Sequence, residues 1–330
     1  MAIITVGTLA LYFSTFSFAD AHGLTGEQMV KRMGAGINLG NVFDAPNGEG
    51  TWRSLPATES EIAAFRAAGF THLRLPVTWG NHLRTTPPYT IDPKFLSRIK
   101  QVAGWAASRG MVVVIDAHHE DWFKKDPVGQ AERFDALWMQ ISHAFKDQRD
   151  DQLVFEVLNE SDAKFIDDTQ TNELNARILR IIRKDNPNKN VIIGAVGDNA
   201  GRLRDNKLLV PSDAHIICTF HTYDPWSFAS GQVLTWGSTN EKVYLLESEP
   251  NFSKLSAWSA RSGCPLYVGE FAASVKDEPT SRAAWYGFIS EESRKRGFAY
   301  AVWEDGGEDQ IYDRKTESWS PGILDTLFNR

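Results

Sequence analysis

The feature that most constrains the fold is a regular alternation of strand-length apolar runs with helical patterns. Eight runs are apolar along nearly their whole length, which is typical of parallel strands buried on both faces. Between them lie stretches with apolar residues at helical spacing. Eight strand–helix units predict a single (β/α)8 TIM barrel, an α/β fold. The eight runs cover residues 34–42, 71–77, 111–118, 153–160, 191–197, 215–223, 266–271 and 298–304.

Capping residues mark the starts of intervening helices. Thr58 and Glu61 form a capping-box pattern, and Asp92-Pro93 supplies an N-cap with proline at the first helical position. The long stretch 224–265 leaves room for an extended loop before the sixth helix.

A doubly wound open sheet is the alternative fold for such an alternation. That fold normally carries a glycine-rich phosphate turn running from its first strand into a helix. Residues 34–40 contain the glycines, but no helical pattern follows them. The 330 residues nominally suit two domains, whereas a barrel takes about 250 residues as one domain. We therefore expect one barrel domain over 22–330.

The first residues differ from the rest of the chain. Residues 2–19 are apolar and uncharged, and Ala19 and Ala21 follow at the A-x-A spacing of a cleavage site. We interpret residues 1–21 as a signal peptide, although no Lys or Arg precedes the apolar run. A retained membrane anchor is the alternative, because such a run is nearly long enough to span a bilayer. Both interpretations predict export, and the first predicts a secreted, extracellular protein.

Composition restricts the partners that this chain can have. The net charge of −7 argues against a nucleic-acid partner, and no pattern implies a protein partner. Cys218 lies in a predicted strand and Cys264 just before another. A disulfide between neighbouring strands and two buried thiols are both compatible with these positions.

Seven of the eight predicted strands end in polar or amphipathic side chains. Barrel enzymes keep their chemistry at the carboxyl ends of the strands, so these residues are the candidates for a site. Strand parity pairs Glu160 with Glu156, and Asn159 can face the same way only if the pleat breaks at the strand end. The candidates are Asn38, Asn41, Arg74, Asp116, His118, His119, Asn159, Glu160, His221, Tyr223, Glu270 and Trp303.

Two of these residues are carboxylates that would face each other across the barrel mouth. Glu160 ends the fourth strand and Glu270 the seventh, and a pair flanking one bond is what glycoside hydrolysis requires. Arg74 and Tyr223 would hold Glu270 ionised, while a drier setting would raise the pKa of Glu160. The structural alternative is that both glutamates form salt bridges within the barrel.

Short motifs on these strands resemble glycoside hydrolase family 5, in the clan that carries its two glutamates on barrel strands four and seven. The resemblance covers about residues 27–328. One departure is Ser161, where proline usually follows the Asn-Glu pair. The motifs, in order, are Gly36 to Asn41 with Asp44-Ala45-Pro46, Arg74 to Pro76, Asp116 to His119, Leu158 to Glu160, His221 to Tyr223, Gly269 to Phe271 and Trp303-Glu304.

The resemblance implies a retaining mechanism with Glu160 as general acid/base and Glu270 as nucleophile, their carboxyl groups about 5 Å apart. The implied mechanism needs no metal and no organic cofactor. It also implies that Asn159 bonds the sugar 2-hydroxyl, that Arg74 and Tyr223 orient Glu270, that His118 and His221 line the same subsite, and that Trp303 forms its stacking floor.

Two other functions fit parts of the pattern. His118-His119-Glu120 suggests a barrel metallohydrolase, which would need three or four converging ligands. A non-catalytic carbohydrate-binding barrel is the second, although such a protein typically loses one carboxylate and this chain has both.

The substrate implied by the resemblance is a β-linked polysaccharide or oligosaccharide. We expect an endo-β-1,4-glucanase, with β-mannanase or glucomannanase as the alternative. Glucose and mannose differ at one hydroxyl, so Asn41, Asp44 and His119 are the residues expected to decide between them. The chain carries no recognisable cellulose-binding module, which favours soluble or amorphous polymer.

The 11 tryptophans are unusually many. Trp226 and Trp236 are predicted to join Trp303 as platforms for sugar rings, because flat indole faces stack on them. For Trp52, Trp79 and Trp122, loop packing and sugar binding are equally open. Core or helix-surface packing is expected for the four in helical patterns, Trp105, Trp138, Trp258 and Trp285.

Overall fold

Eight parallel strands close into one barrel in the computed structural model, which describes residues 23–53 and 55–330. Each strand pairs with the next, and β8 pairs with β1. This confirms the predicted TIM barrel and excludes the open sheet. The strands are β1 Ala35–Asn38, β2 His72–Leu75, β3 Val112–Asp116, β4 Leu153–Glu156, β5 Asn190–Asn199, β6 Ile216–His221, β7 Leu266–Phe271 and β8 Ala299–Val302.

Seven strands lie inside their predicted runs, and β5 extends past its run at both ends. A small antiparallel ribbon, β9 Tyr312–Asp313 and β10 Ser318–Trp319, follows the barrel. The helices are α1 Gly26–Met33, α2 Glu59–Ala68, α3 Pro93–Ser108, α4 Asp121–Lys124, α5 Ala131–Ala144, α6 Asp168–Asp185, α7 Ala200–Arg204, α8 Trp226–Ala229, α9 Thr239–Glu247, α10 Phe252–Ser262, α11 Pro279–Lys295 and α12 Ile323–Phe328.

The predicted caps are found with one difference. Asp92 caps α3 and Pro93 opens it. Thr58 caps α2 by accepting the Glu61 N–H at 3.1 Å. The Glu61 side chain does not complete the capping box, because its carboxylate binds Arg53 and Arg314 instead. Charge-assisted hydrogen bonds of this kind are stronger than the neutral one a capping box offers.

Helix α1, which precedes the first predicted strand, closes the amino-terminal end of the barrel. Its buried Met29, Val30 and Met33 belong to the same apolar cluster as Val114 and Ile192 of the barrel strands. The chain before it is tied to the start of β5, where the Asn190 side chain donates to the Leu24 carbonyl at 2.7 Å. The polar site is therefore confined to the opposite end.

The segment predicted as an extended loop is mostly helical. Residues 224–265 contain α8, α9 and α10, whose capping residues Ser238 and Asn251 each accept a main-chain N–H. Helix α10 packs Leu255 and Trp258 into the core. Trp138, Trp258 and Trp285 are fully buried, as predicted for helical tryptophans, and Trp105 is partly buried with Arg98 over its ring.

Cys218 and Cys264 form a disulfide with a Cα–Cα distance of 5.9 Å. It joins β6 to a residue two positions before β7, so the alternative of two free thiols is excluded. The predicted signal peptide lies outside the described residues. Across residues 23–53 and 55–330, no helix has the length and apolar character needed to cross a membrane.

Candidate active site

A buried arginine organises the carboxyl end of the barrel. Arg74, at the end of β2, is fully buried, and its guanidinium uses its whole donor face. Its partners lie on or just after four other strands, β1, β3, β4 and β7, and binding to one planar group fixes their relative positions. Its partners are Glu156 at 2.7 and 2.9 Å, Glu270 at 2.6 Å, Asn159 at 2.8 Å, Asn38 at 2.9 Å and Asp116 at 3.0 Å.

Glu270 lies on β7 and is held by both of its oxygens. Oε1 accepts from Arg74 at 2.6 Å, and Oε2 accepts from the Tyr223 hydroxyl at 2.9 Å. Burial acts to raise the pKa of Glu270, but the charges of His221 and Arg74 outweigh it and leave the pKa lowered. These contacts fix both oxygens of Glu270 and, with the lowered pKa, favour its ionised form.

Glu160 lies four residues beyond the end of β4, where the backbone leaves the pleat. Its φ is +36°, a left-handed conformation that non-glycine residues rarely adopt. This break lets Asn159 and Glu160 face the same cavity despite their opposite parity. The Glu160 side chain is 43 % exposed, so it is open to a ligand while Glu270 is buried.

The two carboxylates converge on His221. Nδ1 of His221 lies 2.7 Å from Oε1 of Glu160 and 3.6 Å from Oε2 of Glu270. One oxygen of each glutamate and a ring nitrogen of His221 all lie within 4.8 Å of one another. The carboxyl groups of an inverting pair are more widely spaced, about 6.5–9.5 Å apart.

A cavity of about 480 Å³ opens above this pair. On one side His118 receives its orientation from Asp116, 2.7 Å from Nδ1, and lies parallel to the Trp303 ring at 5.8 Å. Asn41 and His119 continue the same wall. The cavity therefore combines aromatic faces with hydrogen-bonding groups and carboxylates, which suits an uncharged polyhydroxylated ligand.

Comparisons with known proteins agree with this geometry. The family model for Cellulase (glycosyl hydrolase family 5) matches residues 34–309. The chain belongs to glycosyl hydrolase family 5. It is accordingly a glycoside hydrolase, and the carboxylate pair is the feature of the site that such chemistry needs.

Named relatives of this family 5 hydrolase are bacterial. Endoglucanase H of Acetivibrio thermocellus is 42 % identical over 308 residues, covering 92 % of this chain but 33 % of that protein. This chain thus spans a third of the length of that relative. Endoglucanase B of Clostridium cellulovorans is 30 % identical over 326 residues, covering 90 % of this chain and 73 % of that protein.

Solved structures of similar architecture include Thermotoga maritima Cel5A in complex with mannotriose. It has 33 % sequence identity and a TM-score of 0.85, covering 92 % of this chain and 99 % of that one. Its complex with cellobiose gives a TM-score of 0.86 at the same identity and coverage.

One electrostatic prediction for the family 5 site is wrong. The pKa of Glu160 was expected to be raised, and it is lowered. Burial acts to raise it, but the hydrogen bond and charge of His221 outweigh that effect. Burial lowers the pKa of His221, yet the charges of Glu270, Asp198 and Glu160 together raise it to about 9. His221 is therefore a cation held between carboxylates.

The predicted tryptophan platforms divide between the cavity and the core. Trp303 and Trp226 line the cavity, and Trp226 is 63 % exposed. Trp236 does not reach it, which corrects the prediction: its ring is buried against Phe228 and Phe288, because the chain beyond α8 turns inward.

The three loop tryptophans left open differ from one another. Trp79 is fully buried and its Nε1 donates to the Asp116 carbonyl at 2.8 Å. Trp122 packs beneath the Arg133 guanidinium at 4.0 Å, so both serve packing. Trp52 is 49 % exposed, and its ring lies 5.5 Å from the ring of His119, just outside the cavity lining.

The three residues considered as metal ligands, His118, His119 and Glu120, do not converge. Glu120 turns away from His118 and His119, because its carboxylate accepts the main-chain N–H of Trp79 and approaches Trp122 Nε1. Within the described part of the chain, three other sets of side chains have their donor atoms within 4.8 Å. They are Asp44, His118 and His119; Glu156, Asp198 and His221; and Glu160, His221 and Glu270. The two sets that contain His221 share a ring whose pKa is raised to about 9, so a metal there would have to displace a proton.

Asp198 is a site residue that the sequence analysis missed. It lies at the end of β5, the one strand for which no polar ending was predicted, and its Oδ2 accepts the Glu160 N–H at 2.7 Å. The signal was present, because the run at 191–197 is followed directly by Asp198 and Asn199. Glu308 and Asp309, from the loop after β8, also line the cavity and were missed.

Replacing Arg74 with Lys should raise the acidic limb of the pH profile of kcat/KM. An ammonium cannot bind Glu156 and Glu270 together, so the pKa of Glu270 rises and its ionised form is lost at a higher pH. We expect a shift of about one unit and a rate loss of roughly tenfold or more.

Arg98→Lys is the matched control, because Arg98 makes a similar forked contact with Glu49 at the surface. That variant should leave the acidic limb unchanged. An unchanged acidic limb in Arg74→Lys would contradict the role given to Arg74.

Proposed function

We propose that this protein is an endo-β-1,4-glucanase that acts by a retaining, double-displacement mechanism. The observation that carries the proposal is the pair of carboxylates whose oxygens lie within 4.8 Å, one ionised and buried, the other open to the cavity. A spacing of about 5 Å belongs to the retaining class, in which one carboxylate attacks directly.

In the first step Glu270 attacks the anomeric carbon while Glu160 donates a proton to the leaving glycosidic oxygen. The bond from the sugar to that oxygen breaks as the bond to Glu270 forms, giving a covalent glycosyl-enzyme. In the second step Glu160 takes a proton from water, whose oxygen attacks the same carbon and releases Glu270. Each residue returns to its starting protonation state.

The lowered pKa of Glu160 in the free site is compatible with its role as an acid. Nδ1 of His221 lies 2.7 Å from its carboxylate, and when the ring is protonated this nitrogen can pass its proton to Glu160. A bound sugar would remove water from the exposed part of Glu160, and desolvation raises the pKa of a carboxylate. Substrate binding therefore favours the protonated acid.

The cavity supports a neutral β-linked glycan as substrate. Trp303 and Trp226 line the same cavity as the two carboxylates and Asn159, whose Oδ1 accepts from Arg74. The named relatives are endoglucanases, which favours glucan. The mannotriose complex of Cel5A from Thermotoga maritima keeps β-mannanase or glucomannanase as the second candidate.

Side-by-side rates on carboxymethylcellulose, glucomannan and mannan test the substrate. We expect the highest rate on the glucan, full activity in excess chelator, and losses of roughly 10²–10⁴-fold in Glu160→Gln and Glu270→Gln. A higher rate on mannan would assign the protein to the second candidate. Near-normal turnover in either glutamine variant would contradict the site.

Proton NMR of the first-formed product tests the stereochemistry. A cello-oligosaccharide should give the β-anomer at the new reducing end before mutarotation, because two inversions restore the configuration. Initial appearance of the α-anomer would show a single displacement and refute the covalent intermediate.

We also propose that the protein is secreted, with residues 1–21 acting as a cleaved signal peptide. The Cys218–Cys264 disulfide supports an oxidising destination. Amino-terminal sequencing of protein recovered from the culture medium should begin near residue 20 or 22; a chain that remains membrane-bound and begins at Met1 would indicate an anchor.

A further inference from the structure

Asp198 lies at the end of β5, behind Glu160, and the mechanism above gives it no role. Its side chain is buried, and its Oδ2 accepts the main-chain N–H of Glu160 at 2.7 Å. The same oxygen lies 3.9 Å from Nε2 of His221. Nδ1 of that ring contacts the Glu160 carboxylate at 2.7 Å. Asp198 therefore interacts with Glu160 in two ways, directly with the Glu160 main-chain N–H and indirectly through His221.

The surrounding chain is shaped to leave room for this contact. A Cβ at Gly194 would clash with Oδ1 of Asp198, and a Cβ at Gly269 would lie 2.7 Å from Nε2 of His221. Asp198 and Glu160 have φ values of +45° and +36°. Strained backbone of this kind persists where the contacts around it over-determine it, and it concentrates at functional sites.

Nε2 of His221 gives a second, independent indication. It is buried and has no hydrogen-bond partner among the described residues, although Nδ1 is engaged by Glu160. The carboxylate of Asp198 is the negative group that faces this nitrogen. A buried N–H left without a bond is costly, and a nearby carboxylate offsets part of that cost when the ring is cationic.

We propose that Asp198 is a positioning residue for Glu160, holding its backbone in the strained conformation and keeping the His221 imidazolium against its carboxylate. The inference rests on the proposed function, in which Glu160 protonates the leaving oxygen. Asp198 does not line the cavity, so it touches neither substrate nor the reacting carbon and acts only through Glu160 and His221.

Asp198 is one of several titratable groups around Glu160 and His221. Burial raises the pKa of Asp198 to about 7, and the charge of His221 opposes that rise. Asp198 is therefore mostly neutral on the acidic side of pH 7 and ionised above it. The other titratable groups around Glu160 and His221 are Glu156 of β4, Glu270 of β7, Lys124 of α4, Arg74 of β2 and Tyr223 after β6.

Two variants separate the two contacts. Asp198→Asn keeps an oxygen that can accept the Glu160 N–H but removes the charge, whereas Asp198→Ala removes both. Phenyl β-cellobioside needs a proton donor for its leaving group, while 2,4-dinitrophenyl β-cellobioside departs without one. For Asp198→Ala we expect kcat/KM to fall about tenfold or more on the phenyl substrate and less than about threefold on the dinitrophenyl substrate.

Asp198→Asn should move only one limb of the pH profile on the phenyl substrate. Removing a negative charge lowers the proton affinity of the Glu160–His221 pair, so the basic limb moves to lower pH by about one unit. The acidic limb should not move, because Asp198 is already neutral there.

Glu120→Gln is the matched control, since Glu120 is also a buried carboxylate that accepts a main-chain N–H, from Trp79 at 2.6 Å, without contacting Glu160. It should change neither the leaving-group dependence nor the basic limb. Equal losses on both substrates in Asp198→Ala, together with an unmoved basic limb in Asp198→Asn, would overturn the positioning role.

Glu160→Gln separates this proposal from the proposed function. That variant should lose far more activity on the phenyl than on the dinitrophenyl substrate. If it does so while the Asp198 variants behave like Glu120→Gln, only the positioning role fails. If Glu160→Gln loses both activities equally, the assignment of Glu160 as the acid fails instead.

Discussion

The site depends on one buried cation. Arg74 carries its charge in the barrel mouth, where Asp116, Glu156 and Glu270 surround it within 3.0 Å. An unpaired carboxylate there would protonate rather than remain charged, and the charges of His221 and Arg74 together keep the pKa of Glu270 lowered in its buried position. The planar donor face of Arg74 also ties strands β2, β4 and β7 together at their ends. The charge of Glu270 therefore depends on His221 and Arg74, and its position on Arg74 and Tyr223.

The carboxylate of Glu160 has a different environment from that of Glu270. Glu160 stands on backbone that has left the sheet and keeps 43 % of its side chain exposed. Within residues 23–53 and 55–330, the side chain that hydrogen-bonds its carboxylate is His221, which is itself held between Glu160, Glu270 and Asp198. In the proposed mechanism Glu160 gains and loses a proton in each cycle, and its carboxylate is coupled to a titratable neighbour. Glu270 would remain ionised, and it is bound in addition by an arginine, which does not titrate.

Periodicity and strand ends were enough to predict the barrel and most of the site. Continuous apolar runs located all eight strands. Strand parity predicted that Asn159 could face the same way as Glu160 only if the pleat broke, and the left-handed backbone of Glu160 is that break. What failed depended on contacts between distant segments. The burial of Trp236 follows from packing against α11, the Glu61 carboxylate prefers two arginines to its own helix, and the pKa of Glu160 is set by a histidine 61 residues away. None of these partners can be read from local spacing.

Trapping the intermediate tests the central claim, that the carboxylate held by Arg74 is the nucleophile. A 2,4-dinitrophenyl 2-deoxy-2-fluoro-β-cellobioside forms the covalent intermediate readily but slows its hydrolysis, because the fluorine destabilises both transition states while the good leaving group speeds only the first. Mass spectrometry of the digested protein should find one fluorocellobiosyl group on the peptide that contains Glu270, and none in Glu270→Gln. A label on another residue, or turnover with no labelled protein, would contradict the account.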